Sequence, residues 1–248
     1  MRGIRLNLLL VLMGASLQVQ AEQLTVAVAS NFTAPMREIA GAFEGETDHR
    51  VRLVFGSSGK FYAQIRHGAP FEAFFSADRA KPEALEQAGL AVPGSRFTYA
   101  AGGLALWSGD GNLVRGGPGA LERGDFNKLA LANPRLAPYG AAAVQVLRKL
   151  GLEEGTRPHW VQGENIAQAY QFVASGNADL GFVALSQVSE GGHIDSGSAW
   201  EVPEDLHDPI RQDAVLLKRG VDSAAARALL RFVRSERAAA IIESYGYR

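Results

Sequence analysis

Apolar runs with strand-like spacing alternate with segments of helical spacing along most of the chain. The run LTVAVAS predicts a strand, and in the following segment Met36, Ile39 and Phe43 share one helical face. VRLVFGS and EAFFSA predict further strands, and KFYAQIRHG and PEALEQAGL predict helices after them. This alternation is typical of a mostly parallel sheet that is covered by helices.

A second series of the same kind follows in the middle of the chain. AGGLALWS, KLALANP, HWVQG and ADLGFVAL predict strands, whereas APYGAAAVQVLRKLGL and ENIAQAYQFVASGN predict helices. Extended segments within 199–219 and helices within 222–248 complete the pattern. We therefore predict an α/β protein with two lobes, one formed by 22–101 and 203–248 and the other by 102–202. More than one crossing between the lobes places a cleft between them.

The first 21 residues have the pattern of an export signal. Arg2 and Arg5 precede the apolar run LNLLLVLMGASL, which is too short to span a bilayer, and Val19-Gln20-Ala21 fits a signal-peptidase site. We expect the exported chain to begin at Glu22. It then has 23 Lys and Arg against 26 Asp and Glu, a net charge of −3.

Composition excludes several classes of site. The chain has no cysteine, which excludes thiol nucleophiles and Cys-ligated metals, and its five histidines show no zinc-motif spacing. No basic stripe is present, so nucleic acid is not an expected partner. GSSGK has two residues between its glycines where a phosphate loop has four, and the GxSxG elbow of a hydrolase is absent. An exported hydrolase is therefore the weaker alternative.

Four predicted strands end where a helix begins with small or amide-bearing residues. The four pairs at these turns are Ser30-Asn31, Ser57-Ser58, Tyr139-Gly140 and Asn165-Ile166. The first N–H groups of a helix have no internal acceptor, and the helix dipole leaves about half a positive charge there. Each turn alone is explained by an N-cap. Four turns that converge at the carboxyl ends of strands predict a site for a small tetrahedral dianion.

Five segments together resemble a known family. They are VAVASNF, VFGSSGKFYAQIRHGAPFEAFFSAD, PYGAAAVQVLRKLG, ENIAQAYQFVASGNADLGFVALSQV and AAAIIESYGYR. In order and spacing they are similar to the periplasmic molybdate-binding proteins, the solute receptors of molybdate ABC importers. The resemblance implies a two-lobed type II periplasmic binding protein with a ligand cleft between mostly parallel sheets. It also implies a monomeric receptor in the periplasm that is not an enzyme and that delivers its ligand to an inner-membrane permease.

The resemblance also assigns ligand-binding residues. It implies hydroxyl and backbone donors from Ser30 and Ser58, a backbone N–H from Asn31, and a second-lobe half of the site at Tyr139 and Ile166. Molybdate, and tungstate with it, is then held only as an oxyanion, with no protein ligand on the metal and no cofactor. A receptor for another oxyanion such as sulfate has the same plan and stays open as an alternative.

One position departs from the pattern of many relatives. They carry a tyrosine after the GFV-like strand, where this chain has Ala184, whereas this chain has Tyr139 in the Pro-x-Gly turn. We hypothesise that the Tyr139 phenol donates the missing hydrogen bond, so that Tyr139→Phe weakens binding. Because the donors are neutral, we also expect binding to be nearly flat between about pH 6 and 8.

Overall fold

The computed structural model describes residues 21–190, 193–194 and 196–248, so the predicted export signal falls almost entirely outside the described residues. The strands are β1 Gln23–Ala29, β2 Arg50–Gly56, β3 Ala73–Phe75, β4 Phe97–Gly102, β5 Leu104–Ser108, β6 Leu129–Ala132, β7 Trp160–Gly163, β8 Leu180–Ala184, β9 Ser189–Glu190, β10 His193–Ile194, β11 Ser198–Glu201 and β12 Ile210–Leu216. The helices are α1 Thr33–Glu46, α2 Ser58–Arg66, α3 Ala80–Gln87, α4 Gly119–Arg123, α5 Pro138–Lys149, α6 Glu153–Thr156, α7 Ile166–Ala174, α8 Ala224–Val233 and α9 Glu236–Ser244.

Two five-stranded sheets form the two lobes and have the same layout. The first has the order β2-β1-β3-β12-β4, and the second, taken from the opposite edge, has the order β7-β6-β8-β5-β11. In each sheet three neighbouring strands are parallel, the fourth is antiparallel, and the fifth returns to the first direction. The prediction of two α/β lobes with mostly parallel sheets is confirmed.

The chain crosses between the lobes twice. β4 and β5 are separated by Gly103 alone, and 202–209 connect β11 to β12. The strand that follows each crossing is the antiparallel strand of the sheet it enters: β5 in the second sheet and β12 in the first. The prediction of AGGLALWS as a single strand is wrong, because its first two residues end β4 and its last five form β5 in the other sheet. The lobe limits at 102 and 203 stay a prediction.

Both faces of the first sheet are buried, which explains its continuous apolar strands. From β1, Leu24, Val26 and Val28 pack in a cluster with α1, α8 and α9, whereas Ala27 points into a cluster with α2 and α3. The second lobe has one large cluster in which α5 and α7 pack on its sheet. No helix of the described residues is long and apolar enough to cross a membrane.

Candidate functional site

The four predicted turns lie at the carboxyl ends of corresponding strands in the two lobes. A 3₁₀ turn at Ser30–Phe32 follows β1 and α2 follows β2, while α5 follows β6 and α7 follows β7. Neighbouring strands end in register, since Ala29 pairs with Gly56 and Ala132 pairs with Gly163. The helix starts therefore lie side by side at one edge of each sheet.

The helix starts of one lobe touch those of the other. The amide of Ala167 in α7 donates to Oγ of Ser30 at 3.4 Å, and the amide of Gly59 in α2 donates to the carbonyl of Leu136 at 2.8 Å. All five predicted residues are buried at this contact. Their exposed fractions are Ser30 5%, Asn31 3%, Ser58 1%, Tyr139 1% and Ile166 2%. The structure thus brings the predicted residues to the meeting point of the lobes in a closed arrangement.

Both serines keep a proton to donate. Oγ of Ser58 accepts from the amide of Ala77 at 2.9 Å, and Oγ of Ser30 accepts from Ala167. A hydroxyl that accepts one bond still has its own O–H as a donor. The two side chains are therefore held in place by the backbone while their protons remain available.

The side-chain caps leave the earliest amides of the helices available. Oδ1 of Asn165 accepts from Gln168 at 3.1 Å, and Oγ of Ser57 accepts from Lys60 at 3.4 Å. These bonds satisfy the third amide of α7 and of α2. The N–H of Ile166, at the first position of α7, has no acceptor within its helix. The cap at Asn165 therefore does not use the amide of Ile166, which the resemblance assigns to the ligand.

The side chain of Asn31 points into a buried polar network. Its Nδ2 donates to Oε1 of Gln212 at 2.7 Å and to the hydroxyl of Tyr247 at 3.1 Å. Its carbonyl accepts from Tyr247 at 2.8 Å and from the hydroxyl of Ser186 at 3.2 Å. The Nδ2 donor is therefore used inside the protein, and the donor that the resemblance assigns to Asn31 is its main-chain N–H.

The phenol of Tyr139 reaches the same network. Its hydroxyl accepts from Nε2 of Gln212 at 3.4 Å. A Cβ on Gly102 would lie 2.0 Å from this hydroxyl, so the phenol tip lies against the backbone of the first crossing. Burial raises the pKa of Tyr139 well above its usual value, so the phenol stays neutral. The hypothesis that the phenol donates to the ligand stays a prediction, and the structure gives this phenol a protein partner.

A pair of opposite charges lies at the rim of the site. Nζ of Lys60 in α2 lies 2.9 Å from Oε1 of Glu164, which precedes α7, and both side chains are about half-exposed. This pair spans the two lobes and neutralises Lys60, whereas Arg135, the basic residue of the turn between β6 and α5, is exposed. Within the described part of the chain, no group of three or more His, Asp or Glu is placed to hold a metal ion.

A cavity of about 590 Å³ lies beside the site, between the two lobes. Residues 77–81, 134–138 and 208–211 line most of it. None of the five predicted residues lines this cavity, although it borders Ala137 and Pro138 at the start of α5. We therefore place the candidate site at the meeting point of the helix starts and not in this cavity.

Sequence reasoning missed the residues behind the site. They are Tyr99, Ser186, Gln212 and Tyr247. A signal existed for one of them, because Gln212 and Asp213 are polar residues in the middle of β12, directly before its apolar end at 214–216. Buried polar side chains need hydrogen-bond partners, so such a pair in a core strand indicates a network.

Comparison with known proteins agrees with this architecture. A family model for bacterial extracellular solute-binding proteins matches residues 24–248. The chain belongs to that family. Among relatives of this solute-binding protein, the molybdate-binding protein ModA of Azotobacter vinelandii is 54% identical over 245 residues, covering 98% of this chain and 97% of the relative. The molybdate-binding protein ModA of Rhodobacter capsulatus is 50% identical over 241 residues, covering 96% and 93%.

A solved structure confirms the fold of this solute-binding protein. The Azotobacter vinelandii periplasmic molybdate-binding protein matches it with a TM-score of 0.88 and 42% identity, covering 91% of this chain and 98% of the other. The relatives are named as binding proteins, in agreement with the expectation that the chain is not an enzyme. The resemblance inferred from the sequence motifs is confirmed.

Proposed function

We propose that this protein is an extracytoplasmic receptor that binds molybdate, and also tungstate, between its lobes and delivers it to an ABC importer. The observation that carries the proposal is the meeting of four helix starts with neutral donors, through the contacts of Ala167 with Ser30 and of Gly59 with Leu136. The names of relatives at 54% and 50% identity support molybdate as the anion.

Neutral donors suffice for a doubly charged anion because several dipoles act together. Each helix start contributes about half a positive charge, so four of them offset about two negative charges. The hydrogen bonds come from the hydroxyls of Ser30 and Ser58, the main-chain amides of Asn31 and Ile166, and Tyr139 at the start of α5. Because these groups are buried between the lobes, the hydrogen bonds are stronger than they would be in water. No cofactor is needed, and molybdenum is held through its oxygens alone.

Binding proceeds by closure of the lobes around the anion. One lobe supplies Ser30, Asn31 and Ser58, and the other supplies Tyr139 and Ile166. An anion that contacts both sets favours the closed form by its extra contacts there. Selectivity against sulfate follows from the size of the closed site, because the same donors serve every tetrahedral dianion. Molybdate and tungstate share size and charge, so the site accepts both.

The receptor acts in the periplasm, as a monomer, and its partner is the inner-membrane permease of the importer. Two features support this: the family is extracellular, and residues 1–21 have the pattern of an export signal. The closed form presents both lobes together, which gives the permease a way to distinguish loaded receptor from empty receptor.

Calorimetric titration of the purified protein with molybdate, tungstate, sulfate and phosphate tests the proposal. Tight binding of molybdate and tungstate and weak binding of sulfate and phosphate are expected. Preference for sulfate would instead assign the alternative receptor, and absence of binding to any of the four would reject the oxyanion site. A titration repeated at about pH 6 and 8 should give the same affinity, because no His or Lys contacts the ligand.

A further inference from the structure

We infer that Gln212 is a positioning residue of the oxyanion site: its carboxamide fixes Asn31 of one lobe and Tyr139 of the other in the closed arrangement. The inference rests on the proposed function and adds a residue that has no place among the ligand donors. Gln212 lies on β12, in the first sheet, and is fully buried.

The carboxamide of Gln212 uses both of its ends. Oε1 accepts from Nδ2 of Asn31 at 2.7 Å and from the hydroxyl of Tyr99 at 3.0 Å. Nε2 donates to the hydroxyl of Tyr139 at 3.4 Å. The first two partners belong to the same lobe as Gln212, and Tyr139 belongs to the other. One side chain therefore connects the two halves of the site.

The backbone around Gln212 is shaped to allow this connection. The pairing of β12 with β4 shifts register between Gln212 and Asp213. A bulge of this kind re-aims a side chain. A Cβ on Gly102 of β4 would lie 2.6 Å from Nε2 of Gln212 and 2.0 Å from the hydroxyl of Tyr139. The bulge and the glycine together bring the amide and the phenol to the first crossing between the lobes.

Asn31 depends on this network for its backbone position as well. Tyr247 and Ser186 hold the carbonyl of Asn31 from the other side, and their hydroxyls lie 2.9 Å apart. The side chain of Asn31 is thus held by Gln212 and its carbonyl by these hydroxyls, so both ends of the residue are anchored. Its N–H, one of the proposed ligand donors, is thereby preorganised, which strengthens binding without any contact between Gln212 and the anion.

The phenols that face Gln212 stay neutral in the neutral pH range. Burial raises the pKa of Tyr247 to about 12 and those of Tyr99 and Tyr139 well above their usual value. The adjacent carboxylate of Asp213 is buried and paired with Arg96 at 2.7 Å, and Arg79 lies 3.7 Å away. A carboxyl group placed at 212 would therefore dominate any pH dependence.

Gln212→Glu is the sharpest test because the introduced carboxyl group changes its hydrogen bonding with pH. When protonated it accepts from Asn31 and Tyr99 and donates to Tyr139, as the amide does. When ionised it only accepts, and its charge repels a dianion. Position 212 is fully buried, and burial raises the pKa of such a carboxyl group well above its usual value of about 4.3, so it is expected to titrate between about pH 5.5 and 8. We therefore expect molybdate affinity to be near that of the wild type at about pH 5.5 and at least about tenfold weaker at about pH 8. The wild-type affinity should change less than about twofold over this range.

Gln212→Leu removes the hydrogen bonds at every pH, and about tenfold weaker binding is expected at both pH values. Val215→Ala, on the same strand and fully buried but outside the network, is the stability control. It should lower the melting temperature and leave the affinity unchanged. Gln171→Glu, on an exposed position of α7, controls for an added charge.

The outcomes separate this inference from the proposed function. If the wild type fails to bind molybdate or tungstate, the proposed function is wrong. If the wild type binds and both Gln212 variants bind equally well at both pH values, the positioning role is wrong. A lowered melting temperature with unchanged affinity overturns it too. Should Gln212→Leu not fold, Gln212→Glu at the two pH values decides alone.

Discussion

Closure of the lobes depends on a glycine where two backbones meet. Gly59 is the second residue of α2 in one lobe, and its amide donates to the carbonyl of Leu136 in the other lobe at 2.8 Å. A Cβ at this position would lie 2.8 Å from that carbonyl oxygen and 2.9 Å from Cα of Leu136. We predict that Gly59→Ala weakens molybdate binding while the ligand-free protein keeps its stability.

The size of the effect follows from the geometry. The Cβ would be about 0.6 Å closer to the carbonyl oxygen than the 3.4 Å at which ordinary contact begins, and neither atom of Leu136 belongs to a flexible side chain. The lobes must separate, at a cost of about 1 to 3 kcal/mol for the overlap and about 1 kcal/mol for the lost hydrogen bond. The combined loss is about 2 to 4 kcal/mol, and its lower limit corresponds to about 30-fold weaker binding. In the open form the lobes are apart, so the added Cβ does not overlap with Leu136. Alanine also stabilises the helix relative to glycine by up to about 1 kcal/mol.

Calorimetry with molybdate measures the affinity, and thermal unfolding without ligand measures the stability of the ligand-free protein. Gly41→Ala is the matched control, because Gly41 also lies in a helix of the first lobe and a Cβ there meets nothing within 4 Å. The control should be as stable as the wild type or more so, with unchanged affinity. If Gly59→Ala binds molybdate as tightly as the wild type, the contact with Leu136 is not part of the ligand-bound form and the closure argument is refuted.

Three other predictions follow from single contacts. Ser58→Ala removes a proposed ligand donor and the acceptor of the Ala77 amide, so calorimetry should show a binding free energy weaker by about 1.5 to 3 kcal/mol; unchanged affinity would exclude the hydroxyl from the site. Lys60→Ala breaks an exposed pair with Glu164 and should change affinity by less than about 1 kcal/mol; a larger loss would mean that the ammonium contacts the anion. The pKa of Tyr247 is raised to about 12, so its stabilising contribution is complete below about pH 10 and is lost as the pH rises through 12. At about pH 11 the loss is about 1.4 kcal/mol, and denaturant unfolding of Tyr247→Phe should show a correspondingly smaller drop from pH 9; an equal drop would contradict the assignment.

The local part of the site was predictable because it depends on short-range patterns. Ser30, Ser58, Tyr139 and Ile166 could be placed at helix starts, since strand and helix periodicities change at each of these turns and the first amides of a helix lack acceptors. The caps at Ser57 and Asn165 have the same local origin. The fold class followed from the order of these elements.

The hinge was not predictable in the same way. The boundary between β4 and β5 falls inside one apolar run, and no periodicity marks the residue at which a chain leaves one sheet for another. The choice of Gln212 as partner of Asn31 joins positions 181 residues apart, and Tyr247 is 216 residues from Asn31. The predicted role of the Tyr139 phenol did not foresee its contact with Gln212, since the bulge of β12 and the space at Gly102 exist only in the folded chain.

The sequence by itself determined the succession of strands and helices, the two-unit plan, and the uncharged helix starts that follow the strands. These features depend on neighbours within a few turns of chain, where spacing and capping chemistry act directly. Only the tertiary structure decided which strands cross between the lobes, how closely Gly59 approaches Leu136, and which buried side chains hold Asn31. Those contacts join distant segments, and packing of the whole molecule selects them.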